Sequence, residues 1–186
     1  MSVVIKSLCV RFDNLTVFDD FNVTFEDGHK YLLASPSGTG KTTLCNIVTG
    51  LLKPTSGTVD CTNNRFAVVF QEDRLIDELS AIDNVRIVNP HVSNEKIREE
   101  LEALLPDADL TEPVKNYSGG MRRRVAIVRA MVNDAPVIIA DEPLTGLDKT
   151  ACESTVQYIL SHSQGKTLIV ASHNPIWTDL CERIDI

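Results

Sequence analysis

The chain has 186 residues and a formal charge of −8, from 18 basic and 26 acidic side chains. That length suits a single domain able to bury a substantial core. The negative balance argues against direct nucleic-acid binding, which rests on neutralising many phosphates. No apolar run approaches the ~20 residues that span a bilayer, and the N-terminus lacks the basic-then-apolar pattern of a secretory signal, so the chain is expected to be cytoplasmic.

In chain order, Val3, Ile5, Leu8 and Val10 begin one strand and Leu15 to Phe25 forms a second. Asp27-Gly28 makes a turn, and Tyr31-Leu32-Leu33-Ala34 is a short buried strand. A helix starts at Lys41, with Leu44, Ile47, Val48 and Leu51 on one face and Gly50 near its end. Gly57 to Asp60 and Phe66 to Phe70 are further strands. Residues 72–116 are less regular, but Ser93 can cap a helix striped by Ile97, Leu101, Leu104 and Leu105 and stopped by Pro106. Ser118 can cap the next, with Met121, Val125, Val128 and Val132 at helical spacing.

Val137 to Ala140 is fully apolar, like strands buried in parallel sheets. A helix over Ala151 to Ser163 presents Cys152, Val156, Ile159 and Leu160, and Thr167 to Ala171 is another buried strand. Asn174-Pro175 opens a last short helix, and Ile184 to Ile186 reads as an edge strand. The alternation predicts an α/β fold with a parallel-sheet core and a helical insert over residues ~72–132. The five cysteines, Cys9, Cys45, Cys61, Cys152 and Cys181, are odd in number and lack a CxxC spacing, so they read as reduced packing residues.

The segment Ser35 to Thr42, SPSGTGKT, lies between an apolar strand and an amphipathic helix. This is the context of a P-loop, in which backbone N–H groups surround phosphates at a helix N-terminus. Its candidate nucleotide contacts are Ser37, Gly38, Thr39, Gly40, Lys41, Thr42 and Thr43. Lys41 can reach the β- and γ-phosphates, and the Thr42 hydroxyl can bind Mg²⁺. Ser35 stands where the motif has its first glycine. Serine tolerates a left-handed backbone poorly, so an altered loop start is expected.

Asp141-Glu142 closes the strand Val137 to Ala140, placing two carboxylates where parallel sheets bind ligands. Asp141 would hold Mg²⁺ through water and Glu142 would act as general base toward the attacking water. Tyr117-Ser118-Gly119-Gly120-Met121-Arg122 offers a serine cap followed by two glycines, which leaves helix-terminal N–H groups open as a second anion site. Arg122 to Arg124 read as a solvated helix face with a salt bridge to the insert. His29, His91 and His162 have no mutual metal-ligand spacing and read as surface or loop residues.

The segment from Tyr117 through Ala130 closely resembles the signature of the ATP-binding-cassette (ABC) ATPases, with Met121 in place of the usual glutamine. Other motifs follow in the family's order. Gln71 is similar to the Q-loop glutamine, which binds Mg²⁺ and senses the membrane partner. Leu144-Thr145-Gly146-Leu147-Asp148 resembles the D-loop, and His173 the switch histidine that contacts the γ-phosphate. Phe12 is placed like the aromatic that stacks on adenine, with Phe18 close by as the other choice.

The resemblance implies a P-loop NTPase (RecA-like) core with an N-terminal antiparallel β subdomain and an ABC-specific helical insert. It implies ATP and Mg²⁺ as ligands, with Glu142, His173, Lys41 and Gln71 as catalytic residues. It also implies a head-to-tail dimer, a homodimer on this sequence, in which Ser118, Gly119, Gly120 and Asp148 complete the partner's site. Transmembrane permease subunits would hold the chain at the inner face of the membrane. Gln71-Glu72-Asp73-Arg74-Leu75 and Asp83-Asn84-Val85 are similar to importer subunits for nitrate, sulfonates and related solutes, and no C-terminal regulatory domain is expected. The other reading is a soluble ABC ATPase that remodels a protein or nucleic-acid assembly.

Overall fold

Apolar alternation near the N-terminus builds an antiparallel sheet. In the computed structural model, which describes residues 2–13, 15–36, 38–61 and 64–186, strand β1 (Val3–Phe12) pairs with β2 (Leu15–Phe25), Val3 opposite Phe25. The three-residue step from Ile5 to Leu8 breaks the period of two. It coincides with a register shift and with Ser7 at φ 47°, which keeps Ile5 and Leu8 both buried. After β3 (Lys30–Leu33) and α1 (Lys41–Val48), β4 (Ser56–Cys61) completes this sheet in the order β2-β1-β4.

The chain divides into two compact units. The first runs to Phe66 and adds Ala135–Glu142 and Gly165–Ile186. β5 (Phe66–Val69) carries the chain out of it. Within this unit β6 (Val137–Asp141), β7 (Thr167–Ala171), β3 and β8 (Glu182–Ile184) lie side by side in that order, all parallel. Every residue of β6 and β7 is buried, which explains why neither alternates in sequence. α1 packs on β6 and β7 and buries Leu44, Cys45, Ile47 and Val48.

The second unit comprises Ala67–Asp134 and Pro143–Gln164. It holds α2 (Ala81–Arg86), α3 (Asn94–Leu104), α4 (Gly119–Met131) and α5 (Lys149–His162). Ile97, Leu101, Val125, Val128, Val156 and Ile159 form its apolar centre. Ser93 and Ser118 cap α3 and α4 as predicted, accepting from the Lys96 and Met121 N–H groups. α5 starts earlier than predicted because Asp148 caps it through the Ala151 N–H at 2.9 Å. β8 is two residues earlier than expected.

Two elements have no counterpart in the sequence reading, α2 and the single turn Val114–Asn116. Both are too short for a readable period. The loop before α2 is held by Asn84, which is fully buried. Its Oδ1 accepts from Ile76 N at 2.8 Å, and its amide donates to the Ile76, Leu79 and Ser80 carbonyls.

Candidate nucleotide site

Register alone brings several predicted residues to one edge of the first unit. Leu33 and Asp141 are both paired with Ala171, at the C-terminal ends of β3, β6 and β7. The glycine loop, Glu142 and the Ser172-His173 pair therefore leave the sheet at the same level, which is where parallel sheets take ligands.

Gly38 and Gly40 have φ of 85° and 107°, so both depend on the left-handed freedom of glycine. Ser37 lies outside the described residues. α2, α3, α4 and α5 are capped by the side chains of Ser80, Ser93, Ser118 and Asp148, whereas Gly40 at the start of α1 offers no side-chain cap. The first-turn N–H groups of α1 are thus left to a ligand, at the end of the helix that favours anions. Lys41 is buried and its ammonium donates to the Ser35 and Pro36 carbonyls, the latter at 3.0 Å. Thr42 is exposed and Thr43 half-buried.

The expected strain at Ser35 is absent: it is not among the described non-glycine residues of positive φ. Its hydroxyl accepts from Ile186 N at 3.0 Å and lies 2.6 Å from the Ala34 and Ile186 carbonyls. Serine acts here as a clip between the end of β3 and the segment after β8, a task glycine could not perform.

Asp141 ends β6 and is 5 % exposed. Its charge adds to burial in pushing the Cys45 thiol of α1 far above the usual range. Glu142 is left-handed at φ 46°. That conformation is uncommon and strained for a residue with a side chain, and it is often found at functional sites. Its N–H donates to Ala171 O at 2.8 Å, its Oε2 accepts from Ser172 Oγ at 3.0 Å, and its Oε1 lies 2.9 Å from His173 Nδ1. A carboxylate can only accept, so Nδ1 carries the proton in this pair. Sequence reasoning missed Ser172, whose residue type gives no signal of its own.

In the second unit Gln71 is exposed, and its carbonyl accepts from Arg123 at 3.3 Å. Ser118 and Gly119 are exposed, and a Cβ on Gly119 would meet nothing within 4 Å. A Cβ on Gly120 would lie 3.2 Å from the Gly146 carbonyl, so a side chain there needs a small shift of the 144–148 loop. Asp148 is exposed beside it, engaged as the α5 cap.

The solvated-face reading is corrected at Arg123, while the expected salt bridge to the insert is present at Arg122. Arg123 is 2 % exposed and donates to the Phe70, Gln71 and Pro143 carbonyls and to Asp73. Arg122 bridges to Asp77, and Arg124 donates to Gly120 and Leu104. Acceptors at several separate points of the chain draw Arg123 inward. His162 is likewise not a free surface residue: it ends α5, packs at a tilt against Tyr158 and lies 3.0 Å from Glu100.

At the tip of the β1–β2 sheet Phe12 is 45 % exposed, whereas Phe18 is 5 % exposed and packs on Phe21. Of the two aromatics, only Phe12 has a face open to a base. Among the described residues no group of three or more His, Cys, Asp or Glu side chains could hold a metal ion. The hydroxyl of Thr42 and the carboxylate of Asp141, both in the first unit, are hard oxygen donors of the kind that suits Mg²⁺, which is commonly bound by few protein groups together with substrate phosphates.

A glycine loop after a parallel strand, an uncapped helix behind it and an acidic pair at the end of the next strand but one define a P-loop NTPase. Residues 18–145 match the ABC transporter family. The aliphatic sulfonates import ATP-binding protein SsuB 1 of Rhodococcus jostii is 34 % identical over 176 residues, 88 % of this chain and 69 % of that protein. The taurine import ATP-binding protein TauB of Pelagibacter ubique is 34 % identical over 83 % of this chain and 64 % of its own length. The macrolide export ATP-binding/permease protein MacB of Bartonella quintana is 31 % identical over 91 % of this chain, which spans only 29 % of it.

Among solved structures, the dimeric bacterial ABC transporter cassette MJ0796 superposes with a TM-score of 0.90 at 26 % identity, covering 99 % of this chain and 94 % of that one. Its post-hydrolysis dimer bound to ADP and Pi gives 0.89 at 27 % identity, with the same coverage. The chain belongs to the ABC transporter family, in its ATP-binding part, and is an ATPase of that family. No helix among the described residues is long and apolar enough to cross a membrane.

Proposed function

We propose that this chain couples ATP-driven closure of a head-to-tail homodimer to the import of a small solute through transmembrane permease subunits. The observation that carries this reading is the Glu142 carboxylate, gripped by Ser172 and His173 at the sheet edge from which the uncapped phosphate loop also emerges. In this reading the first-turn amides of α1 and the Lys41 ammonium take the phosphates of ATP, and Lys41 exchanges its two loop carbonyls for phosphate oxygens. Thr42, Asp141 and Gln71 hold Mg²⁺, which neutralises charge on the phosphates.

Glu142 takes a proton from the attacking water and His173 turns to the γ-phosphate. Phe12 stacks on adenine. Ser118, Gly119, Gly120 and Asp148 serve the nucleotide of the second subunit. Relatives named for sulfonate and taurine import support the direction and the solute class. Ile76, Ile87 and Val88, exposed apolar residues of the second unit, support a docked partner, which would keep the chain peripheral at the inner membrane face.

The test is a search of the neighbouring genes for a multi-span permease and co-expression with it, followed by ATPase assays in proteoliposomes with taurine or an alkyl sulfonate. Co-purification and solute-stimulated turnover are expected. Turnover indifferent to permease and solute would overturn the transport role and favour a remodelling ATPase.

A further inference from the structure

Ser172 is polar, 2 % exposed and next to the residue proposed as base. Its oxygen accepts from the Asn174 N–H at 3.2 Å and its hydroxyl donates to Glu142 Oε2 at 3.0 Å. The first bond fixes the oxygen and directs its single proton along the second, so a backbone amide sets the plane of the Glu142 carboxylate through one buried hydroxyl. The other oxygen, Oε1, faces His173 Nδ1.

The two partners differ in freedom. The His173 side chain is 72 % exposed, so it can swing away at the cost of one exposed contact. Ser172, the residue directly after β7, is walled in and cannot leave. The Glu142 backbone is itself tied to β7, through its N–H to Ala171 O.

We infer that Ser172 is a positioning residue for the hydrolytic step, keeping Glu142 oriented once the nucleotide draws His173 off it. Oε1 then becomes available to a water while Oε2 stays anchored. This inference rests on the reading of Glu142 as base. Orientation of a catalytic group governs rate more than affinity, and small misplacements cost large factors. Without the hydroxyl, Oε2 loses this anchor and the carboxylate is held less firmly in its productive plane.

The experiment compares steady-state MgATP hydrolysis by the full-length chain and its Ser172→Ala, Ser172→Thr and Glu142→Gln variants. Ser172→Ala should lower kcat by roughly tenfold or more with KM for ATP unchanged and only a small fall in the thermal midpoint from the lost hydroxyl bonds, and Ser172→Thr, which keeps the hydroxyl, should recover turnover. Wild-type kcat in Ser172→Ala, while Glu142→Gln is inactive, would overturn the positioning role alone. A proportional loss of kcat, ATP affinity and thermal stability would reduce Ser172 to a packing residue. Normal turnover by Glu142→Gln would instead remove the base on which the inference depends.

Discussion

Arg123 and Asp73 form an ion pair at 3.1 Å in which the arginine side chain is only 3 % exposed and the aspartate 22 %. The same guanidinium serves the Phe70, Gln71 and Pro143 carbonyls, so α4 grips the loop around Gln71 and the start of the 144–148 loop from one buried point. Removing one member of a buried pair leaves groups without their partner and is costly. Arg123→Ala is expected to lower unfolding stability by about 3–5 kcal/mol, read from urea denaturation. Arg123→Lys should not restore it, because a single ammonium cannot reproduce the fork. Full stability in either variant would show that this network carries little.

Glu142→Gln should bind ATP but not turn it over. With the nucleotide retained, it should elute as a dimer from size-exclusion chromatography in the presence of MgATP and as a monomer without it. A monomer under both conditions would count against nucleotide-driven closure.

Gly40 and Gly38 both have positive φ but differ in their surroundings. A Cβ on Gly40 would sit 2.6 Å from Val17 Cγ1 and 2.9 Å from Phe18 Cζ, while one on Gly38 meets nothing within 4 Å. Gly38→Ala is expected to cost only backbone strain, about 1 kcal/mol. Gly40→Ala should add a steric clash, lower the thermal midpoint further and abolish ATP binding in a titration. Equal effects at the two positions would refute the packing account.

Ser35→Gly removes the clip to Ile186 without touching the loop amides. Stability should fall by about 1 kcal/mol, and ATP affinity should stay the same. A large gain in affinity would mean that serine distorts the loop after all.

Glu100 on α3 accepts from Tyr158 Oη at 2.7 Å and lies 3.0 Å from Lys96 Nζ and His162 Nε2. Burial alone would raise its pKa. The hydrogen bonds from Tyr158 and Lys96 and the neighbouring His162 charge outweigh burial and hold the carboxyl below its ordinary value. Because the folded pKa is the lower one, this contribution is complete above the unfolded value of about 4.3 and is lost as pH falls through the folded value. Tyr158→Phe should therefore cost about 2 kcal/mol at pH 7, with the difference from wild type shrinking below pH ~4. A difference constant across that range would mean that the phenol acts by packing alone.

The sequence was most legible where both faces of an element are buried or where a backbone position demands a residue type. β6 and β7 show as unbroken apolar runs, and Ser93 and Ser118 show as caps. Lys41, Asp141, Glu142 and His173 do come to one sheet edge, because strand register is fixed by those same runs, whereas Phe12 lies on the antiparallel sheet. What stayed hidden rests on acceptors with no residue identity. Arg123 looks like one arginine among three until the Phe70 and Pro143 carbonyls, distant in sequence, are seen to surround it. α2 is too short to show a period, and the Ser172 hydroxyl could have faced anything. Asp148 was read for its loop motif alone, although an aspartate just before a helix is an ordinary cap signal.

Gly120 leaves its neighbour Gly146 so little room that even a methyl carbon would crowd the carbonyl. A side chain added there must shift the 144–148 loop by a few tenths of an ångström, so a lesion at this glycine and one at the loop should look alike in a genetic screen. Second-site suppressors of a Gly120 substitution are then to be sought first among residues 144–148, before any partner protein is searched.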